Sequence, residues 1–63
     1  MEKINKIKKY LKNQIEIQKS FLKIGEGTLP LRNILAHDEK ILALLEGKSM
    51  EEACKIQEER MNE

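Results

Sequence analysis

A chain of 63 residues with twelve basic and eleven acidic side chains makes one small domain of near-neutral charge. Its single cysteine, Cys54, excludes an intrachain disulfide, and its single histidine, His37, leaves any metal site to be completed by carboxylates. A core this small then looks to oligomerisation or a partner for support.

Eight Ile, eight Leu, ten Lys and ten Glu, with no Val or Trp, is the composition of long helices and coiled coils, so the expected fold is all-α. The first helix is expected over about residues 3–24. Ile4, Ile7, Leu11, Ile15 and Leu22 recur at helical spacing, Tyr10, Ile17, Phe21 and Ile24 widen the stripe, and Gln14 and Gln18 interrupt it. At about 1.5 Å per residue it spans roughly 34 Å, long enough to need a second helix, or a second copy of itself, alongside. Residues 1–23 hold seven lysines against Glu2 and Glu16, a balance of +5, while residues 24–63 hold five basic groups against nine acidic ones, a balance of −4. That asymmetry suits either halves that attract each other or an acidic partner.

Gly25-Glu26-Gly27 ends this helix, with Gly25 suited to the left-handed conformation past a helix end. Thr28 as a cap and Pro30 in the first turn start the next. The second helix, about 29–46, carries Leu31, Ile34, Leu35, Ile41, Leu42, Leu44 and Leu45. It is polar at its middle, where His37 and Asp38 mark a place it could break, but one continuous helix is expected. Gly47 is a C-terminal cap, and Ser49-Met50-Glu51-Glu52 matches the capping box that opens a third helix over 50–61. The face of that helix, Met50, Ala53, Cys54, Gln57 and Met61, is thinly apolar and packs weakly unless a neighbour completes it.

The functional residues are few. Cys54 falls on an apolar face, where free cysteine behaves as a small hydrophobe, and His37, the one classical base, continues the Ile34–Ile41–Leu44 face as a boundary residue. Asp38-Glu39, Glu51-Glu52 and Glu58-Glu59 read as solvated helix edges rather than a dry carboxylate pair. Gly25-Glu26-Gly27 lacks the strand and further glycine of a phosphate loop. No enzyme activity, cofactor or metal is therefore expected.

Lys3, Lys6, Lys8, Lys9, Lys12, Lys19 and Lys23 line the first helix and could neutralise phosphates. Against nucleic acid stand the two arginines, Arg32 and Arg60, the scarcity of aromatics, and the ordinary placing of charge opposite an apolar stripe. The stretch from Glu39 to Gln57 resembles the opening of a helix-turn-helix unit: an apolar helix, a glycine turn, a Ser-capped helix. With the third helix in the recognition role, Glu51 and Glu52 would face phosphates, so the stretch is read as a helical hairpin. No apolar run reaches the roughly 18 residues that span a bilayer, no signal-peptide pattern follows the basic start, and a lone thiol suits a reducing compartment; the expected location is the cytoplasm, with no membrane partner.

The sequence therefore predicts a small three-helix protein, a long basic helix followed by a helical hairpin, assembled as a dimeric helical bundle over residues 1–63. The expected core is Ile4, Ile7, Leu11, Ile15, Phe21, Leu22, Leu31, Ile34, Leu35, Ile41, Leu42 and Leu45. The expected role is that of a non-enzymatic regulator, an inhibitor or adaptor, docking by its helices on a larger protein, with a nucleic-acid accessory as the alternative. Lys6, Lys9, Tyr10, Lys12, Phe21, Met50 and Met61 are the candidate partner-binding residues. The Ile/Lys/Glu-rich composition would suit an AT-rich bacterial or phage genome.

Overall fold

The computed structural model describes residues 2–25 and 29–62. These form three helices and no strand: α1 Glu2–Lys23, α2 Leu29–Leu45 and α3 Met50–Met61. The second helix runs without a break through His37 and Asp38. Pro30 sits in its first turn, where a missing N–H costs no hydrogen bond; the expected Thr28 cap lies outside the described residues.

The helix ends follow the sequence signals. Gly25 and Gly47 adopt φ of 79° and 93°, the left-handed region open to glycine. At Gly47 the termination is complete: its N–H donates to the Leu44 carbonyl at 3.1 Å, and Lys48 N–H reaches back to Ala43 at 3.0 Å. This is the Schellman arrangement, which satisfies carbonyls that have no partner further along the helix. Two residues on, Ser49 leaves the turn extended, and its Oγ accepts the Glu52 N–H at 3.1 Å, capping α3.

α2 is the central helix. α1 packs along one side of it and α3 along another, while α1 and α3 share no close backbone approach among the described residues. Cross-links between residues 18 and 38, 12 and 46, and 39 and 60 make both pairs antiparallel. The molecule is a flat layer of about 37 × 24 × 14 Å, a little more than one helix diameter thick.

Flatness sets the core. Leu11, Ile15, Leu35, Ala36, Ala43 and Ala53 are buried, together with Gln18. Leu22, Leu31, Leu42 and Leu45 are half-buried. The rest of the expected core is corrected: Ile4, Ile7, Phe21, Ile34 and Ile41 are exposed. One layer has a single seam per helix pair, so a helix side chain turned out of the layer finds no second layer to cover it. Three alanines take the vacated place, because small side chains let α2 and α3 approach closely along one line.

Polar contacts from Gln18 and Arg60 fasten the seams. Gln18 Nε2 donates to Asp38 Oδ2 at 3.1 Å between α1 and α2, and Gln18 Oε1 has no partner among the described residues. Arg60 grips Glu39 with two nitrogens, Nε to Oε1 at 2.6 Å and Nη2 to Oε2 at 3.2 Å, between α3 and α2. Both side chains are under one-fifth exposed, so this is a forked, partly desolvated pair. Asp38 and Glu39 are thus seam residues and not the solvated edge expected of them. Lys12 lies 4.0 Å from Glu46 on the surface, where such a pair contributes little.

Candidate interaction face

Consecutive residues of α2 are divided among three directions. Leu31, Leu35, Asp38, Leu42 and Leu45 recur at steps of four and three on the line toward α1, the line on which Asp38 meets Gln18. One position later in each step, Ala36, Glu39 and Ala43 form the line toward α3, where Glu39 meets Arg60. One position earlier, Ile34, His37, Ile41 and Leu44 form a third line that points out of the layer, its Ile34 and His37 edging a cleft against α3. Ile34 is 52% exposed and Ile41 37%.

The same offset appears in α1. Leu11, Ile15, Gln18 and Leu22 face α2, and the residues one position earlier, Tyr10, Gln14, Ile17 and Phe21, do not. Ile17 is 51% exposed and Phe21 44%, with Tyr10 and Ile24 more open still. A step of one residue is about 100° of rotation, in the same sense along each helix's own direction. Because α1 and α2 run in opposite directions, equal backward steps from their shared seam bring both outward stripes to the same side of the layer.

The third helix extends that side. A cleft of about 410 Å³ is lined by Asn33, Ile34, His37 and Asp38 of α2 and by Gln57 and Met61 of α3. Met61 stands on the line Met50, Cys54, Gln57, Met61, so these residues share the face; Met50 is exposed and Cys54 half-buried. The result is an apolar face crossing all three helices. Single exposed apolar residues are ordinary on a folded surface; here several share one side of the layer.

The opposite side has another character. A shallower hollow of about 190 Å³ is lined there by Ile15 and Lys19 of α1, by Glu39, Leu42, Ala43 and Glu46, and by Lys48 and Ile56. Lys8, Lys12, Lys19 and Lys23 recur along this side of α1, with Glu39 and Glu46 close by on α2. Lysines of α1 and acidic residues of α2 stand near one another on this surface, with Lys12 and Glu46 at 4.0 Å.

Of the expected partner-binding residues, Tyr10 and Phe21 of α1 and Met50 and Met61 of α3 lie on the same side of the layer, on either side of α2. Lys6 flanks the apolar face one position before Ile7, whereas Lys9 and Lys12 turn away, with Lys12 toward Glu46. The residues that sequence reasoning placed elsewhere are Ile17, Ile24, Ile34 and Ile41. Their signal is the spacing Ile7–Tyr10–Gln14–Ile17–Phe21–Ile24, steps of three and four throughout, which is a second stripe distinct from Leu11–Ile15–Gln18–Leu22. Among the described residues no cluster of His, Cys, Asp and Glu side chains is arranged to hold a metal, and no helix is long and apolar enough to cross a membrane. No known protein family, characterised protein or solved structure matches this chain.

Proposed function

We propose that this protein is a non-enzymatic regulator, an inhibitor or adaptor of the cytoplasm, that self-associates and acts by laying its helices on a larger protein. The observation that carries the reading is the apolar face itself, to which α1, α2 and α3 all contribute, with Lys6 and Asp38 at its edges. Docking of a helix against a groove needs spaced apolar anchors and a polar rim. Ile17, Phe21, Ile34 and Met61 are such anchors, and Lys6, Asn33 and Gln57 stand at their edge.

The test is site-specific photocrosslinking in cells that express the protein natively. A crosslinker at position 34 or 61 is expected to capture a larger protein, and one at position 9 or 19 is not. Ile34→Glu should remove the adduct formed from position 61 while the far-UV circular dichroism stays helical. Adducts arising only from positions 9 and 19 would overturn the assignment.

The lysine ridge of Lys8, Lys12, Lys19 and Lys23 supports a second reading, a nucleic-acid accessory. It predicts binding of mixed-sequence DNA or RNA at physiological salt, followed by fluorescence anisotropy, that is lost on reversing Lys12 and Lys19 to Glu. Glu39 and Glu46 beside the ridge weaken its field, and Arg60 already makes a forked contact to Glu39. We therefore place this reading second.

A further inference from the structure

We infer that the cover of the apolar face in the free protein is a second copy of the chain, with two α1–α2 hairpins packed face to face as a four-helix bundle and each α3 outside it. This rests on the reading of that face as the contact surface, and names what occupies it when the larger protein is absent.

Spacing is the first argument. The outward stripe of α1, Ile7–Tyr10–Gln14–Ile17–Phe21–Ile24, and that of α2, Ile34–His37–Ile41–Leu44, both alternate steps of three and four. This is the pattern that keeps a helix seam facing other helices through knobs-into-holes packing, as in four-helix bundles. A hairpin with one such seam on each helix is half of a bundle, and a second hairpin of identical pattern is its complement.

Area is the second. The chain exposes 4872 Å² for a mass of 7.4 kDa. A folded monomer of that mass ordinarily exposes about 4200 Å², leaving an excess of roughly 650 Å². A standard specific interface removes about 800 Å² from each partner. The surplus is therefore close to one partner's share of such an interface, and covering the face would return the molecule to the ordinary range.

Charge is the third. The residues flanking the α1 stripe on its outer side are Lys6, Asn13 and Ser20, and Asn33 and Lys40 flank that of α2. Lys3 continues the stripe at its N-terminal end, four residues before Ile7, while Lys8, Lys12, Lys19 and Lys23 stand on the opposite side of the layer. Two copies can thus approach without opposing rows of like charge. A strongly acidic or basic partner, in contrast, would find almost nothing on this face to pair with. The surface that matches a nearly uncharged apolar stripe with a thin polar border is another of the same kind.

The consequence is competition: the copy and the larger protein use one face, so the dimer must open before the regulator binds its target. Sedimentation equilibrium of the full chain, from micromolar to millimolar concentration, should give twice 7.4 kDa. Ile17→Lys and Ile34→Lys should each weaken the dimer at least about tenfold, while Lys19→Glu on the opposite side leaves it unchanged. Intermolecular nuclear Overhauser effects between labelled and unlabelled copies, which need no substitution, should appear among the methyls of Ile17, Ile24, Ile34 and Ile41. A mass of 7.4 kDa throughout the range with helices intact overturns the inference and leaves the face to the larger protein alone. A dimer broken by Lys19→Glu but not by Ile17→Lys, or intermolecular effects from Ile56 instead, also overturns it. A dimer that forms through this face while target crosslinking is insensitive to Ile34→Glu would instead sink the regulatory reading and leave this one standing.

Discussion

Arg60 and Glu39 hold a forked polar contact between α3 and α2, and its strength depends on the fork staying whole. With both side chains mostly removed from water, deleting Arg60 takes both fork donors from the partly buried Glu39 carboxylate, which costs more than the pair gains over two apolar residues. Arg60→Ala is expected to lower stability by about 2 kcal/mol in urea unfolding. The double variant with Glu39→Ala should cost less than the sum of the single ones, by about 1 kcal/mol or more. Gln18 is the opposite case. One end of its amide is bonded to Asp38 and the other has no partner among the described residues, so Gln18→Leu should cost less than about 1 kcal/mol or even raise the melting temperature. Neither contact was legible in the sequence. Glu39 and Arg60 are 21 positions apart, and Gln18 interrupts an apolar stripe as a solvated residue also would; which polar residue turns inward depends on the helix crossing, and spacing alone does not contain that.

The elements themselves were legible nearly to the residue, because their signals are local. Gly47 and Ser49 act within a turn of where they stand, and neither requires the rest of the fold. Their contributions separate cleanly. A Cβ at Gly47 would meet nothing within 4 Å, so Gly47→Ala should cost about 1 kcal/mol through backbone conformation alone, and Gly47→Asn less, since Asn tolerates that region. Ser49→Ala should cost about 1 kcal/mol by leaving the Glu52 N–H without its acceptor. Urea midpoints for the three variants test both statements; equal losses for Gly47→Ala and Gly47→Asn would remove the conformational explanation.

Across the whole molecule, helical spacing marks more residues as core than the single layer can bury. Ile4, Ile7, Phe21, Ile34 and Ile41 were assigned to one core because each has helical spacing relative to some buried neighbour. Spacing reports that a residue shares a stripe; it does not report how many stripes a helix carries or how many have a partner. Here α1 has two and α2 three, and one of each faces out of the layer. The alanines were missed for the complementary reason: Ala36, Ala43 and Ala53 add little to an apolar pattern but set how closely α2 and α3 approach. If the outward stripes are covered by a second copy, folding and association are linked, and the melting temperature should rise with protein concentration. A melting temperature independent of concentration across the range where the mass is doubled would break that link.

The order α1, α2, α3, with close backbone approach between neighbours only among the described residues, makes the layer a short chain of interfaces like a repeat array. Loss of α3 therefore removes the Arg60–Glu39 fork and the alanine line without touching the α1–α2 seam. The helix with the fewest apolar anchors should open first and on its own. In hydrogen exchange, the amides of α3 are expected to exchange through a smaller opening than those of α1 near Leu11 and Ile15. Since α3 also supplies one wall of the cleft lined by Ile34 and Met61, the same local release would widen that cleft, making its capacity for a bulky side chain a property of the fraying helix rather than of the static shape.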